Sequence, residues 1–343
     1  MSKKKINIAI IGATGFTGIE LVLLLSKHPN VRVKYLCATK NLGKKISYFD
    51  NRIKKKLPKI SSSKAIDWLT LDLAFLSLPN GSAQKLINKV FHKYTNVKFI
   101  DLSADFRIFD IITYKKNYKI NHKSQNLLKD TIYSISEFVK KDINKYRIIA
   151  NPGCYPTSIQ LPLIPIMKKR MIKNNITIDS KSGYSGAGKS FEKKFKHKHL
   201  YSSTFAYNTK NHRHIVEIDQ EIKKHTGIKP KFTFNPHLLP TFRGILTSIY
   251  VDLKKGITAN QLRKELINFY KQDKFIKILK LNSQVGSGNV INTNKCEISV
   301  CNTRIKNKIV IFCAIDNLIK GASGQALQNM NLIYKFPVMN GFK

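Results

Sequence analysis

Residues 6–25 have the sequence INIAII-GATGFTG-IELVLLL, which falls into three parts. The first part is an uninterrupted apolar run of strand length, and the last has the apolar spacing of a helix that packs on a core. The middle part is a turn that contains three glycines. A strand, a glycine-rich turn and a helix in this order predict the first unit of a parallel, nucleotide-binding sheet.

The glycine-rich turn, Gly12–Gly18, predicts a pyrophosphate site rather than a plain tight turn. Glycines let the backbone approach a phosphate closely, and the following helix presents N–H groups and the positive end of its dipole. The next strand, over 31–38, ends at Ala38-Thr39-Lys40, with no carboxylate for a ribose 2′-hydroxyl. A hydroxyl and cations there favour the 2′-phosphate of NADP, although lysine is abundant throughout the chain. The predicted cofactor-binding residues of this half are Gly12, Thr14, Gly15, Phe16, Thr17, Gly18, Thr39, Lys40 and Pro79.

Strand-like and helix-like segments alternate through the first half of the chain, which predicts a doubly wound parallel sheet of the Rossmann type. Later apolar segments, 231–235 and 245–253, have no long helices between them and predict a mainly antiparallel sheet in an α+β catalytic domain. The predicted fold class is therefore α/β. The predicted domains are a cofactor-binding domain over 1–150, completed by a C-terminal helix at about 318–343, and a catalytic domain over 151–317.

The motif NPGCYPT places Cys154 in a proline- and glycine-rich turn before a helix-like segment. A helix N-terminus favours the thiolate, so Cys154 is a candidate nucleophile, with a buried structural cysteine as the alternative. Pro156 fits the first helical turn, whereas Pro162 predicts a kink or a short first segment. The other four cysteines form no CxxC pair and predict free thiols in a reducing cytoplasm, with no metal site.

Three further segments contain groups suited to chemistry. The segment HRHIVEI, residues 212–218, contains two histidines, an arginine and a carboxylate. These groups could transfer protons in catalysis, and the alternative is a solvated, charged loop. SGYSGAGK, residues 182–189, predicts an anion-binding turn or a flexible loop. DLSADFR, residues 101–107, follows a strand at the edge where ligands bind, and Arg107 could hold a carboxylate or phosphate there.

The net charge of +41 is extreme and suggests a polyanion partner, such as a nucleic acid or an acidic carrier protein. Only nine of the 61 basic residues are arginines, and the lysines are dispersed, which favours compositional drift instead. We therefore predict no nucleic-acid partner. No apolar run of membrane-spanning length occurs, so we also predict no membrane partner and a cytoplasmic location.

Taken together, the motifs make the chain similar to the N-acetyl-gamma-glutamyl-phosphate reductases of arginine biosynthesis, relatives of aspartate-semialdehyde dehydrogenase. The resemblance covers nearly the whole chain and is carried in order by GATGFTG, LPNG, DLSADFR, NPGCYPT, SGYSGAGK, HRHIVEIDQ, RGIL and DNLIKGASGQALQNMN. It implies reversible, NADPH-dependent reduction of an acyl phosphate to an aldehyde with release of phosphate. It also implies a homodimer or homotetramer.

The resemblance implies roles for individual residues. Cys154 matches the family's nucleophile, and His212 matches its acid/base. Tyr207 matches a nearby family tyrosine, although the spacing from Tyr207 to His212 is one residue short. Glu217 lies in the same motif as His212. Further residues implied for the cofactor are Ser185, Gly186, Gly188 and Asn317, and those implied for the substrate are Arg107, Lys189 and Arg243. Departures from the family pattern are Tyr184 for a small residue, Lys189 for an arginine and Val216 for a proline.

Three alternatives remain at this point. A carrier-linked aminoadipyl-phosphate reductase of lysine biosynthesis would suit the positive charge. Aspartate-semialdehyde dehydrogenase is less consistent with HRHIVEIDQ. A nucleic-acid-binding protein with a Rossmann-type domain is disfavoured by the dispersed lysines.

Overall fold

A computed structural model of the chain describes residues 5–189, 191 and 203–342. Within these ranges the chain forms two compact units. The first contains residues 5–152 and 322–342, and the second contains the described residues between Gly153 and Gly321. The chain therefore leaves the first unit once and returns to it at its end.

The first unit is built on a seven-stranded sheet in which every strand pair is parallel. Its strands are β1 (Ile6–Ile11), β2 (Val31–Cys37), β3 (Ile60–Ser61), β4 (Leu73–Leu76), β5 (Lys98–Asp101), β6 (Thr131–Tyr133) and β7 (Ile148–Ala150). They lie in the order β3-β2-β1-β4-β5-β7-β6. The helices are α1 (Phe16–Ser26), α2 (Ser82–Val90), α3 (Ile111–Tyr118), α4 (Ser136–Val139) and the C-terminal α8 (Gly324–Ile333). The predicted doubly wound parallel sheet is confirmed.

Each face of this sheet has its own apolar core, because successive strand residues point to opposite faces. On one face Ile10 and Phe75 lie in the same core as Leu327 of α8. On the other face Ile11 lies in a core that includes Ile87 of α2. Burial of one such side chain contributes about 1.5–3 kcal/mol, so the sheet is stable only with helices on both faces.

A buried carboxylate joins two motifs of the first unit, LPNG and DLSADFR. Asp105 accepts hydrogen bonds from the Gly81 N–H at 2.6 Å and the Gln84 N–H at 3.0 Å, where α2 begins. The N–H groups of a first helical turn have no partner within the helix, so Asp105 caps α2 from a distant segment. The Tyr114 hydroxyl donates to the same carboxylate at 3.1 Å. Asp105 therefore has a structural role at the carboxyl ends of β4 and β5.

The second unit contains a mixed, mainly antiparallel sheet of seven strands. They are β8 (Ile176–Gly183), β9 (Phe205–Ala206), β10 (Phe232–Leu239), β11 (Ile245–Asp252), β12 (Ile276–Ile278), β13 (Cys296–Asn302) and β14 (Lys308–Ile315). Their order is β12-β13-β14-β11-β8-β10-β9, and only β12 with β13 and β8 with β10 are parallel. The helices are α5 (Cys154–Lys168), α6 (Ile215–Thr226) and α7 (Ala259–Tyr270), with a π-helical turn at Ile319–Ser323. The predicted α+β character is confirmed.

Helix α5 is buried from Tyr155 to Met167 and packs against β11, β14, α6 and α7. It continues through Pro162 for all fifteen residues, so the prediction of a short first segment is wrong. Pro165 has no N–H to give to the Leu161 carbonyl, four residues earlier. The Tyr270 hydroxyl of α7 donates to that carbonyl instead, at 2.6 Å. A tertiary contact therefore replaces the hydrogen bond that Pro165 removes.

We expect Tyr270→Phe to lower the free energy of unfolding by about 1–3 kcal/mol, because the buried Leu161 carbonyl would lose its donor. Urea denaturation followed by fluorescence measures the change. Tyr250→Phe is the matched control, since Tyr250 is exposed and its hydroxyl can bond to water. Equal stability of the two variants would contradict the assigned role of Tyr270.

Candidate active site

Cys154 is the first residue of α5, and it is half-buried. The preceding peptide is held on both sides. The Gly153 N–H donates to Oε1 of Glu217 at 2.7 Å, and the Gly153 carbonyl accepts from the Thr157 hydroxyl at 2.9 Å. The thiol thus lies at a fixed helix N-terminus, where the dipole favours a thiolate or a developing oxyanion.

Aromatic rings enclose the residue that follows Cys154. The Tyr155 ring lies 5.6 Å from the His212 ring and 5.4 Å from Phe234, measured between centroids. The Tyr207 ring lies 5.5 Å from His212. Cys154, Tyr207, His212 and Glu217, which the sequence places far apart, therefore gather around the start of α5.

His212 is buried and has one defined neutral tautomer. Its Nδ1 accepts the His214 backbone N–H at 3.1 Å, so the neutral ring carries its proton on Nε2. Burial, together with the nearby positive charge of Arg213, lowers the pKa of His212 to about 4. At neutral pH the ring is therefore an uncharged donor of an Nε2 proton.

Tyr207 donates from its hydroxyl to the Tyr155 hydroxyl at 3.4 Å, and Tyr155 donates in turn to the His237 carbonyl at 2.9 Å. Burial raises the pKa of Tyr207 to about 12, so the phenol remains protonated. The one-residue difference in spacing does not remove Tyr207 from the His212 cluster, because β9 ends just before it and the intervening residues form a turn.

Asp316 and Asn317 connect three loops of the second unit after β14. Asp316 Oδ2 lies 3.2 Å from Nη1 of Arg243, which also donates to Asn292 at 2.8 Å. The Asn317 side chain accepts from the Gly244 N–H at 2.7 Å and donates to Ser185 at 2.9 Å. Arg243, Ser185 and Asn317 are thus brought together. Of the other residues predicted in this region, Gly186 and Lys189 are exposed, and Gly188 has a positive φ of 83°.

The glycine turn of the first unit has the geometry of an anion site. Gly12 has φ +92°, and a Cβ there would lie 2.0 Å from the Ser77 carbonyl oxygen. Gly15 is the N-cap of α1, and among the described residues no side chain caps this helix and no acid occupies its first turn. A phosphate would therefore find donors and no competing carboxylate. Within the turn, Gly18 is buried, and the half-buried residues are Gly12, Thr14, Gly15, Phe16 and Thr17. The other predicted cofactor-binding residues of this unit are exposed: Thr39, Lys40 and Pro79.

Arg107 lies in the first unit and is only 7% exposed. Its guanidinium donates to the Leu102 carbonyl at 2.8 Å and acts electrostatically on Asp101. Burial and the charge of Asp105 raise the pKa of Asp101. The sequence predicted that Arg107 could hold a carboxylate or phosphate, and in the structure protein groups surround its guanidinium.

The remaining cysteines are unlike Cys154. Cys37, Cys296 and Cys313 are buried, and Cys301 is half-buried. Burial raises the pKa of the Cys37 and Cys313 thiols, which makes them poor nucleophiles. Among the described residues, no group of three His, Cys, Asp or Glu side chains is arranged to hold a metal ion, and no helix has the length and apolarity to cross a membrane.

Sequence analysis missed three contributors to the site. The His214 N–H sets the His212 tautomer, Asp316 orders the loops around Arg243, and the main chain of Gly321 lies against Cys154. Every residue except proline has a backbone N–H group, so the residue type does not reveal which of these groups acts as a donor in the site. Gly321 and Asp316 both lie in DNLIKGASGQALQNMN, where a glycine five residues after an acid was the available signal.

Known proteins match both units. The family profile described as semialdehyde dehydrogenase, NAD binding domain, matches residues 7–146, and the dimerisation domain of the same family matches 154–317. A crystal structure of aspartate semialdehyde dehydrogenase II from Vibrio cholerae, complexed with ASA, has a TM-score of 0.72 at 18% identity, covering 97% of this chain and 99% of that one. A Candida albicans aspartate semialdehyde dehydrogenase structure with NADP has a TM-score of 0.67 at 16% identity, covering 96% and 99%.

Curated relatives are much more similar in sequence. An Ehrlichia ruminantium N-acetyl-gamma-glutamyl-phosphate reductase is 42% identical over 96% of this chain and 95% of its own length. A probable chloroplastic N-acetyl-gamma-glutamyl-phosphate reductase of Arabidopsis thaliana is 39% identical over 99% of this chain and 84% of its own.

The first unit has a parallel sheet with a glycine turn, and the second has a mixed sheet with a helix that begins at Cys154. Together with the two family profiles, these features define an oxidoreductase of the semialdehyde dehydrogenase class, with a nicotinamide-dinucleotide-binding domain and an oligomerisation domain. Within that class, the chain belongs to the N-acetyl-gamma-glutamyl-phosphate reductase family.

We expect the His212 imidazole to remain neutral down to about pH 5, because its pKa of about 4 lies below the ordinary 6.5. Nitrogen-15 NMR of the ring measures both the midpoint and the tautomer, and His212→Asn identifies the signals. In the unfolded chain this histidine takes up a proton near pH 6.5, whereas in the folded chain it does so only near pH 4. His212 therefore lowers the free energy of unfolding as the pH falls from 6.5 towards 4. A midpoint above 6 would contradict the assignment.

Proposed function

We propose that the chain catalyses NADPH-dependent reduction of N-acetyl-L-glutamyl 5-phosphate to N-acetyl-L-glutamate 5-semialdehyde and phosphate, through a thioester on Cys154. The observation that carries this proposal is the gathering of Cys154 and a neutral, Nε2-protonated His212 at the start of α5, in a chain of this reductase family. Residues 1–150 with the C-terminal helix would bind the cofactor. Residues 151–317 would provide catalysis and the contacts of a homodimer or homotetramer, in the cytoplasm.

The chemistry follows from the groups at the helix start. The Cys154 thiolate attacks the acyl carbon, the bond from that carbon to the phosphate oxygen breaks, and phosphate leaves with the electron pair. When bound, NADPH would supply the hydride that reduces the resulting thioester. His212 donates a hydrogen bond from its Nε2–H to the oxygen that becomes negative. When the carbonyl forms again, the carbon–sulfur bond breaks, which releases the aldehyde and regenerates the thiolate. The backbone N–H groups of the helix N-terminus offer further donors to the same charge, and Tyr207 would add one by turning its hydroxyl away from Tyr155.

The substrate carries a carboxylate and a phosphate, and both require cations. We assign Arg243 and Lys189 to these groups, and Arg107, whose guanidinium already donates to the Leu102 carbonyl, is the third candidate. Arg243 is held by Asp316 and Asn292, so its direction is fixed before a substrate arrives. Lys189 offers a point charge instead of the planar pair of donors that arginine would provide.

We also assign NADP as the cofactor. Thr39 and Lys40 follow β2 after Ala38 and are exposed, and no acidic residue adjoins them in sequence to repel a 2′-phosphate. The remaining contacts would come from Gly12, Thr14, Gly15, Phe16, Thr17, Gly18, Pro79, Ser185, Gly186, Gly188 and Asn317. Activity on free N-acetyl-glutamyl phosphate would separate this function from that of a carrier-linked reductase.

Cys154→Ser should abolish reduction while leaving NADPH binding intact, because a serine hydroxyl is a far weaker nucleophile without a dedicated base. His212→Asn should slow turnover by about 10²–10⁴-fold. Phosphate-dependent NADP reduction with N-acetyl-glutamate semialdehyde measures both. Partial labelling with iodoacetamide and mass spectrometry provide the control: Cys154 should react before the similarly exposed Cys301. Activity in Cys154→Ser would refute the thioester.

NADPH should bind at least about tenfold more tightly than NADH, since a charge-assisted hydrogen bond contributes about 1.5–3 kcal/mol. Lys40→Ala should remove most of this difference and leave NADH binding unchanged. Lys295→Ala, an exposed lysine of the second unit, is the control for general charge. Fluorescence titration gives the dissociation constants, and equal affinities for both cofactors in the unaltered chain would exclude an NADP-selective site.

A further inference from the structure

The main chain of Gly321 lies directly against Cys154, although the two residues are far apart in sequence. A methyl group built on Gly321 would lie 2.7 Å from the Cys154 Cβ and 3.1 Å from its Cα. Neither atom is the free end of a flexible side chain, so neither could move away without moving the start of α5. Only glycine therefore fits at position 321 with the backbone in place.

The π-helical turn Ile319–Ser323 determines where Gly321 lies. The Gly321 N–H donates to the Asp316 carbonyl, five residues earlier, at 2.9 Å. The Asp316 side chain accepts the N–H groups of Leu318 and Ile319 at 2.8 and 3.1 Å. Asp316 is fully buried and follows β14 directly. The sheet therefore fixes the main chain that touches Cys154.

Cys154 is fixed from its other side by α5 and by the bond from Gly153 to Glu217. Rotation about the Cα–Cβ bond is then the freedom left to the thiol, and the main chain of Gly321 forms one wall of the space in which Sγ turns. We propose that Gly321 is a positioning residue: its missing side chain lets the π-helical turn lie against Cys154 and direct Sγ at the acyl carbon. The inference rests on the nucleophilic role proposed for Cys154.

Gly321→Ala is the direct test, with Gly286→Ala as its matched control. A methyl group on Gly286 would meet nothing within 4 Å, and Gly286 belongs to the same unit. Because a misplacement of about 1 Å can cost about 10² in rate, we expect kcat of Gly321→Ala to fall about 10²-fold while KM for NADPH stays unchanged. Iodoacetamide should label Cys154 at an altered rate in Gly321→Ala and at the unaltered rate in Gly286→Ala.

A second test is independent of any reductase activity. Gly321→Ala should lower Tm by about 3–10 °C when Cys154 is present, because overpacking is destabilising. In a Cys154→Gly background the obstructing Cβ is gone, and less than half of that loss should remain. If Gly321→Ala alone does not fold, the double variant should recover folded protein.

These measurements separate the two proposals. If the chain reduces no acyl phosphate, the labelling rate and the Tm comparison still decide the role of Gly321. An equal Tm loss with and without the Cys154 Cβ would overturn the proposal, as would a Gly321→Ala variant that matches Gly286→Ala in Tm, labelling and kcat.

Discussion

Burial of α5 on every side constrains the rest of the second unit. A helix without a solvent face cannot satisfy a carbonyl with water, so the prolines inside it require donors from neighbouring helices, as Tyr270 provides for Leu161. The same burial makes its N-terminus rigid, because the peptide before Cys154 is bonded to Glu217 of α6. The same helix therefore fills the core of the second unit and presents the Cys154 thiol at its N-terminus.

The sequence predicted the fold better than it predicted the site. Apolar runs and a glycine turn are local patterns, and they placed β1 and β2 to within a residue and α1 to within three. The motif match made Cys154 and His212 candidates because their side chains are chemically distinctive. The His214 N–H and the main chain of Gly321 could not be predicted, since a backbone contact depends on tertiary register and leaves no side-chain signature. The short first segment expected at Pro162 was wrong, because α5 is continuous through that residue.

The distribution of acids explains how a chain of charge +41 keeps its fold. In the part of the chain that the structure describes, eight acidic residues are buried, whereas only two lysine or arginine residues are. The positive charge is therefore mainly at the surface, and buried acids hold the structure together: Asp105 caps α2, Glu217 holds Gly153, and Asp316 orders the loops near Arg243. Screening by salt weakens the repulsion among exposed lysines far more than it weakens these buried bonds.

The return of the chain to its first unit has a consequence for biosynthesis. Ala326, Leu327 and Met330 of α8 belong to the apolar core that contains Ile10 and Phe75, yet they are translated after the whole second unit. At about 5–20 residues per second, residues 153–321 occupy the ribosome for on the order of 10–30 s before α8 is made. During that interval one face of the nascent parallel sheet lacks α8, one of the helices that cover it. The growing polypeptide therefore exposes an apolar surface of the kind that chaperones bind, and its first unit completes folding only after α8 has been made.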